Sequence, residues 1–251
     1  MASRPTISGQ RGRAIILCAA GTVIFPAAAV AAEIAAAASV ASDYDYRGVT
    51  QTANQPALQL TMEYAAEPLH LEIWTSNVQF AMDRGAYDAG HLELAYSADL
   101  TLNRNGWLRW NIGINYATYP GLHPASDYAE VWGTATHGPL SASVHYAWDY
   151  SEVHPRLGAY YGEINGSWPL HGTHFAAVAH IGMSWGPYWS ATNNRQYSDY
   201  ALGMSAGWRR CTVLVEAIDT HGYQSIGRGS PFSGKGKLLA SISVALSSAA
   251  Q

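Results

Sequence analysis

The chain has 251 residues, 48% of them hydrophobic and only 13% charged, with 14 Lys and Arg against 18 Asp and Glu for a formal net charge of −4. That acidic balance argues against nucleic-acid binding, which needs clustered Lys and Arg. Beyond the N-terminal segment no stretch approaches eighteen uninterrupted apolar residues, which excludes crossing a membrane by helices.

Residues 1–31 read as a secretory signal. Arg4, Arg11 and Arg13 open it, Ala14 to Val30 supplies an apolar run, and Ala29-Val30-Ala31 is an A-x-A cleavage pattern. The run is short and interrupted by Pro26, which favours cleavage over anchoring. Cys18 lies inside that run behind Leu17, an unsuitable place for lipidation. Removing the segment leaves 11 basic against 18 acidic residues, and Cys211 as the one cysteine, so an internal disulfide is impossible.

Twelve strands follow in the reading of residues 32–251. They are Ala36–Tyr46, Ala57–Ala65, Leu69–Val78, His91–Leu100, Trp107–Ala117, Tyr128–Thr136, Leu140–Tyr150, Ala159–Trp168, Thr173–Ser184, Asp199–Trp208, Cys211–Thr220 and Gly236–Leu246. Each is close to the roughly 9–11 residues with which a tilted strand crosses a bilayer. Within them side chains alternate. In the second strand Leu58, Leu60, Met62 and Tyr64 oppose Gln59, Thr61 and Glu63; in the seventh Leu140, Ala142, Val144 and Tyr146 oppose Ser141, Ser143 and His145. Successive side chains point to opposite faces, so each strand has an oily and a wet face.

A soluble sandwich shows the same alternation, but the connectors separate the two. Long ones (47–56, 79–90, 118–127, 151–158, 185–198, 221–235) alternate with short ones (66–68, 101–106, 137–139, 169–172, 209–210), and Asn105-Gly106 is a hairpin signal. An even strand number with both ends on the short-turn side is the pattern of a bacterial outer-membrane barrel. Greek-key crossovers give no reason for such regularity. Aromatics on the oily faces fall near strand ends, Tyr116, Trp148, Tyr150, Tyr160 and Tyr200 at the long loops and Trp110, Trp168 and Trp208 at the short turns. Two such belts are what anchoring at the membrane interfaces predicts.

Several segments carry a resemblance to a known family: Ser42-Asp43-Tyr44 with Arg47-Gly48, Thr50-Gln51, Pro56-Ala57 and Gln59; Trp74 with Ser76-Asn77; Glu93 and Tyr96; Tyr119-Pro120-Gly121; Tyr128 with Glu130; and Tyr197-Ser198-Asp199-Tyr200 with Gly203. Spread over nearly all of the mature chain, they resemble the TorF family of porins. The resemblance implies a signal peptide, an outer-membrane barrel and a porin-like role, and brings no substrate or catalytic residue with it. One departure is the end Ser247-Ser248-Ala249-Ala250-Gln251, where many such barrels finish on an aromatic residue read by the barrel-assembly machinery; Leu246 would then close the last strand.

The wet parity assigns a candidate lumen lining of Glu63, Glu72, Glu93, Arg109, Asn111, Asn115, Glu130, His145, Asp149, Glu163, Asp199 and Glu216, together with His70, Asp99 and Asn165. Carboxylates dominate, and an acidic lining lowers the energy of an entering cation. Two readings of this interior stand. It is a weakly cation-preferring pore, or its charges pair with one another and with Arg47 or Arg104 inside a plugged barrel. Inward Trp74, Trp132 and Tyr161 narrow the bore in either case, since twelve strands lie between the roughly eight that fill with side chains and the roughly sixteen that leave a channel.

The ten histidines form no H-E-x-x-H pattern, and no G-x-S-x-G elbow occurs. His174 and His180 share a face, but six strand residues hold them about 20 Å apart, too far for one metal. Cys211 has lipid-facing parity. In the loops Arg195, Arg228, Lys235 and Lys237 are candidates for lipopolysaccharide phosphates. The sequence therefore predicts a passive channel for small hydrophilic solutes in the outer-membrane lipid, not an enzyme and without cofactor or metal. A closed barrel with a structural or surface-binding role is the second reading and an outer-membrane lipid hydrolase the third.

Overall fold

The computed structural model describes residues 32–79, 91–103, 107–122, 127–150, 157–192, 194–224 and 234–246. The signal segment, Arg104, the Asn105-Gly106 turn, Arg228 and the final Ser247–Gln251 lie outside them.

Twelve antiparallel strands form a closed barrel in which sequence neighbours are spatial neighbours. They are β1 (Glu33–Ala41), β4 (Ala57–Ala66), β5 (Leu69–Asn77), β6 (Leu92–Asn103), β7 (Arg109–Thr118), β8 (Tyr128–His137), β9 (Leu140–Ala147), β10 (Ala159–Pro169), β11 (Phe175–Trp185), β12 (Gln196–Trp208), β13 (Cys211–His221) and β14 (Lys237–Ala245). Two further strands, β2 (Asp45–Tyr46) and β3 (Val49–Thr50), pair with each other in the first long loop, and a single helical turn, α1 (Pro187–Ala191), sits in the fifth. β1 closes the wall by pairing with β14 on one side and β4 on the other. Closure leaves no open strand edge, the condition for a sheet to stand in lipid.

The alternation in the sequence becomes inside and outside. Leu58, Met62, Ile112, Val144, Ile164, Leu202 and Leu238 point outward, up to 67% exposed at Leu202 and 75% at Leu238. Glu63 and Asp199, on the opposite parity, keep 3% and 1%. An apolar surface so extensive belongs in a bilayer, because water-soluble monomers rarely expose contiguous apolar patches beyond a few hundred Å². Trp110, Trp168 and Trp208 are exposed at the short-turn end and Tyr116, Trp148, Tyr160 and Tyr200 at the long-loop end, as the two belts require. Tyr150 departs from its belt. β9 ends at Ala147, and the Tyr150 ring turns inward to lie 4.9 Å from both Tyr128 and Tyr188. The free Cys211 is exposed on the outer face.

The largest difference from the predicted strands is at the first. The reading ran it to Tyr46, but β1 stops at Ala41 and the chain then folds into the barrel. Ser42 N donates to the Ala240 carbonyl (2.8 Å) and Ala240 N to Ser42 Oγ (3.0 Å), which fixes the point of departure on β14. The buried apolar core accordingly gathers at the long-loop end. One cluster holds Tyr44, Trp74, Val78, Tyr119, Leu122 and Tyr128, the other Val49, Tyr188, Trp189 and Tyr197.

Candidate functional site

The segment from Ser42 to Pro56 is built as an insert. Tyr46-Arg47-Gly48-Val49 makes the two-residue turn between β2 and β3, with φ of +53° at Arg47 and +78° at Gly48. Positive φ at both central positions is the primed geometry that matches strand twist. Arginine in that region costs about 1–2 kcal/mol, so contacts beyond the turn must hold it there. Below the turn the insert satisfies itself: the Thr50 and Thr52 hydroxyls donate to Asp43 Oδ1 at 2.6 and 2.7 Å, and Gly48 N donates to Asp45 Oδ1 at 2.8 Å. Thr50 and Thr52 are almost wholly buried.

Three sides of the wall hold it. On β8, Glu130 accepts from Arg47 Nη2 at 2.8 and 3.1 Å, both side chains below 10% exposure. Arg47 is also sandwiched by the Tyr46 ring at 4.7 Å and the Tyr161 ring at 4.3 Å. On β13, Thr220 Oγ1 donates to the Gly48 carbonyl at 2.6 Å. On β14, Lys237 pairs with Asp43 and, at 2.7 Å, with Asp45. Burial works to discharge Arg47, but the Glu130 carboxylate more than offsets it, and the guanidinium is held above its ordinary value. The expectation that Lys237 meets lipopolysaccharide is therefore corrected: it points inward, because two buried carboxylates of the insert need a counter-charge. Arg195 is exposed at the rim.

From Arg47 a polar belt continues along neighbouring strands. His145 reaches Glu130 at 3.2 Å and Glu163 at 3.7 Å; His180 reaches Glu163 at 3.7 Å and Asp199 at 2.5 Å. Tyr161 donates to Asp199 at 3.0 Å, and His180 Nδ1 meets Asn165 Oδ1 at 2.6 Å. A second group lies toward the short turns. His70 meets Asp99 at 2.8 Å and Glu63 at 3.6 Å, and Asn111 donates to Asp99 at 2.9 Å. Glu72 stands directly across from Glu63, and Ser97 donates to Asn115 at 2.9 Å. Glu93 is buried under the Tyr44 and Tyr119 hydroxyls.

The predicted lining thus divides. Glu130, His145, Glu163 and Asp199 meet in the belt, while Glu63, Glu72 and Asn111 meet in the lower group. Arg109 and Glu216 are half-buried on other parts of the wall, and Asp149 lies just past the end of β9. Arg47 entered the reading as a pairing partner. Asp43 and Asp45 were missed because the first strand was carried through them; the signal was Arg47-Gly48, a turn pair at the end of a run too polar for a lipid-facing strand. Among the described residues no group of His, Cys, Asp or Glu is arranged to hold a metal ion. Chemically, the insert fills the interior and brings one cation, Arg47, to Glu130, while its own Asp43 and Asp45 take their counter-charge from Lys237 on the wall.

Two solved structures align with the chain. LpxR from Salmonella typhimurium aligns with a TM-score of 0.45 at 10% identity, over 84% of this chain and 99% of that one. An anion-selective porin from Comamonas acidovorans aligns at 0.38 and 10%, over 85% and 97%. Neither likeness carries a residue role to this chain. The expectation that the chain is not an enzyme is corrected: one of the structures it aligns with, LpxR, is an outer-membrane lipid A deacylase. No curated protein matches the sequence, and the TorF resemblance is carried by none of these comparisons. A family model described as "Bacterial protein of unknown function (Gcw_chp)" matches residues 26–246, and the chain belongs to that Gcw_chp family.

Proposed function

We propose that this chain is a bacterial outer-membrane barrel that is closed at rest, rather than a standing diffusion pore. The observation that carries this reading is the first long loop folded inside the wall, with Asp43, Thr50 and Thr52 buried and Arg47 paired to Glu130. Trp74 and Tyr161, each under 10% exposed, fill the bore beside it. The acidic lining supports the same reading: Glu130 is paired with Arg47, and Glu63, Asp99, Glu163 and Asp199 meet three histidines instead of facing an open channel. The closed end then presents the long loops outward, with Arg195 at the rim as a contact for lipopolysaccharide phosphate. The outer-membrane location rests on the apolar belt and closed wall, and the resemblance to TorF porins agrees with it.

The test is electrical. The refolded barrel, shown to be inserted by protection of its strands from protease, is placed in a planar bilayer under a salt gradient. A silent membrane is the expected result. Steady discrete current steps from the unmodified protein overturn the proposal and restore the open-channel expectation.

A further inference from the structure

We propose that the β2–β3 hairpin is a separable plug, and that its withdrawal turns the closed barrel into a cation-preferring pore. The inference rests on the closed-at-rest reading and adds to it which element does the closing and what is left behind.

Four observations carry it. First, the hairpin belongs to no wall ladder. Its two strands pair only with each other, while β1 and β4 on either side of it pair directly without it. The wall is therefore complete when the hairpin is ignored, which distinguishes a plug from a strand. Second, its attachments come from opposite sides of the bore: Glu130 on β8 holds the tip, and Lys237 on β14 holds the base. A loop resting on a rim touches one side; a part spanning the lumen must touch both. Third, the fit at the tip is tight. A Cβ on Gly48 would lie 2.4 Å from Thr220 Oγ1 and 2.5 Å from Asp199 Cβ, so the tip is seated against β12 and β13 with no room for a side chain at that point. Fourth, its contacts with the wall are mainly ionic and hydrogen-bonded at the tip and base, with Tyr44 and Val49 as its apolar anchors among the loop-end clusters.

The charge left behind sets the selectivity. The wall at the level of the hairpin carries Glu93, Glu130, Glu163 and Asp199, against His145 and His180. With Arg47 gone, Glu130 loses its permanent counter-charge, and Lys237 is at the loop end of the wall. An acidic constriction of that kind favours cations. Trp74, Trp132 and Tyr161 remain on the wall and limit the passage to small ions and solutes.

The experiment compares the unmodified barrel with one in which residues 44–51 are replaced by Gly-Gly, both recorded in planar bilayers under a potassium chloride gradient. Expected are silence from the first and discrete steps from the second, with a reversal potential displaced toward the potassium equilibrium value. A shortened barrel that inserts and stays silent overturns the plug while the closed-barrel reading stands. Conductance by the unmodified protein overturns both. An anion-displaced reversal potential overturns the selectivity. Should the shortened chain fail to insert, the double variant Arg47→Ala, Lys237→Ala decides: intermittent steps support the plug, and silence overturns it.

Discussion

Arg47 and Glu130 are 83 residues apart in sequence and joined by two contacts, at 2.8 and 3.1 Å, inside the barrel. Removing Arg47 leaves Glu130 with His145, at 3.2 Å, as its remaining charge partner, so the loss lies at or below the about 3–5 kcal/mol of a fully stranded buried charge. Arg47→Ala is expected to lower the unfolding free energy in detergent more than Arg47→Ala with Glu130→Gln, which leaves no stranded charge. A denaturant titration of the two variants measures this. Equal losses would show that the residues are not coupled.

Gly48→Ala places a methyl where Thr220 and Asp199 already stand, at a φ of +78°. Overpacking of this kind costs about 1–3 kcal/mol, on top of the backbone strain. Gly138, in a short turn with φ of +55°, has nothing within 4 Å of the same added atom. Gly138→Ala therefore isolates the strain alone, about 1 kcal/mol. Thermal unfolding of both variants should rank Gly48→Ala clearly lower.

Leu202 lies at the middle of β12 with its side chain outward, whereas Trp208 is the last residue of the strand. An arginine facing lipid costs about 2–4 kcal/mol at the midplane and about 0–1 near an interface. Leu202→Arg should destabilise the barrel in lipid vesicles, and Trp208→Arg should lose far less. Equal, small effects in vesicles would argue that this surface does not face lipid.

Alkaline pH offers a fourth test. Burial, followed by the charge of Glu93, pushes the loop tyrosines Tyr44 and Tyr119 well above their ordinary value of 10.0. Burial does the same to Tyr150. A raised folded-state value means that the unfolded chain gives up these protons first. The stabilisation is thus fully present below pH 10 and is lost as pH rises beyond it. Stability should fall steeply above pH 10, with absorbance of the buried tyrosinates appearing together with unfolding. Full tyrosinate absorbance from an intact barrel would refute it.

The barrel was legible because lipid outside and polar groups inside impose one period of two on every strand, and because loop lengths record which side each connector occupies. Ala57–Ala65 and Leu69–Val78 end within a residue of β4 and β5. The interior was legible by parity but not by partner. Parity put Glu130 and His145 on the lumenal face without pairing them, and Lys237 and Asp43 meet across 194 residues through a loop whose path no periodicity describes. The same holds for Tyr188 and Trp189 in α1, which no strand alternation governs and which are buried in the cluster with Val49 and Tyr197. Alternation fixes which way a wall side chain points. It has nothing to say about a segment that leaves the wall.

The ladder between β1 and β14 has a consequence for biogenesis. It joins Ala37–Ala41 to Ser241–Ala245 and is the shortest in the wall. Bringing together segments about two hundred residues apart is the most demanding loop closure in the molecule, although its entropic cost grows only logarithmically with length. Until β14 emerges, a growing sheet would carry two bare edges able to recruit foreign strands. The five-pair clasp is thus the seam that turns a sheet with two bare edges into a wall with none.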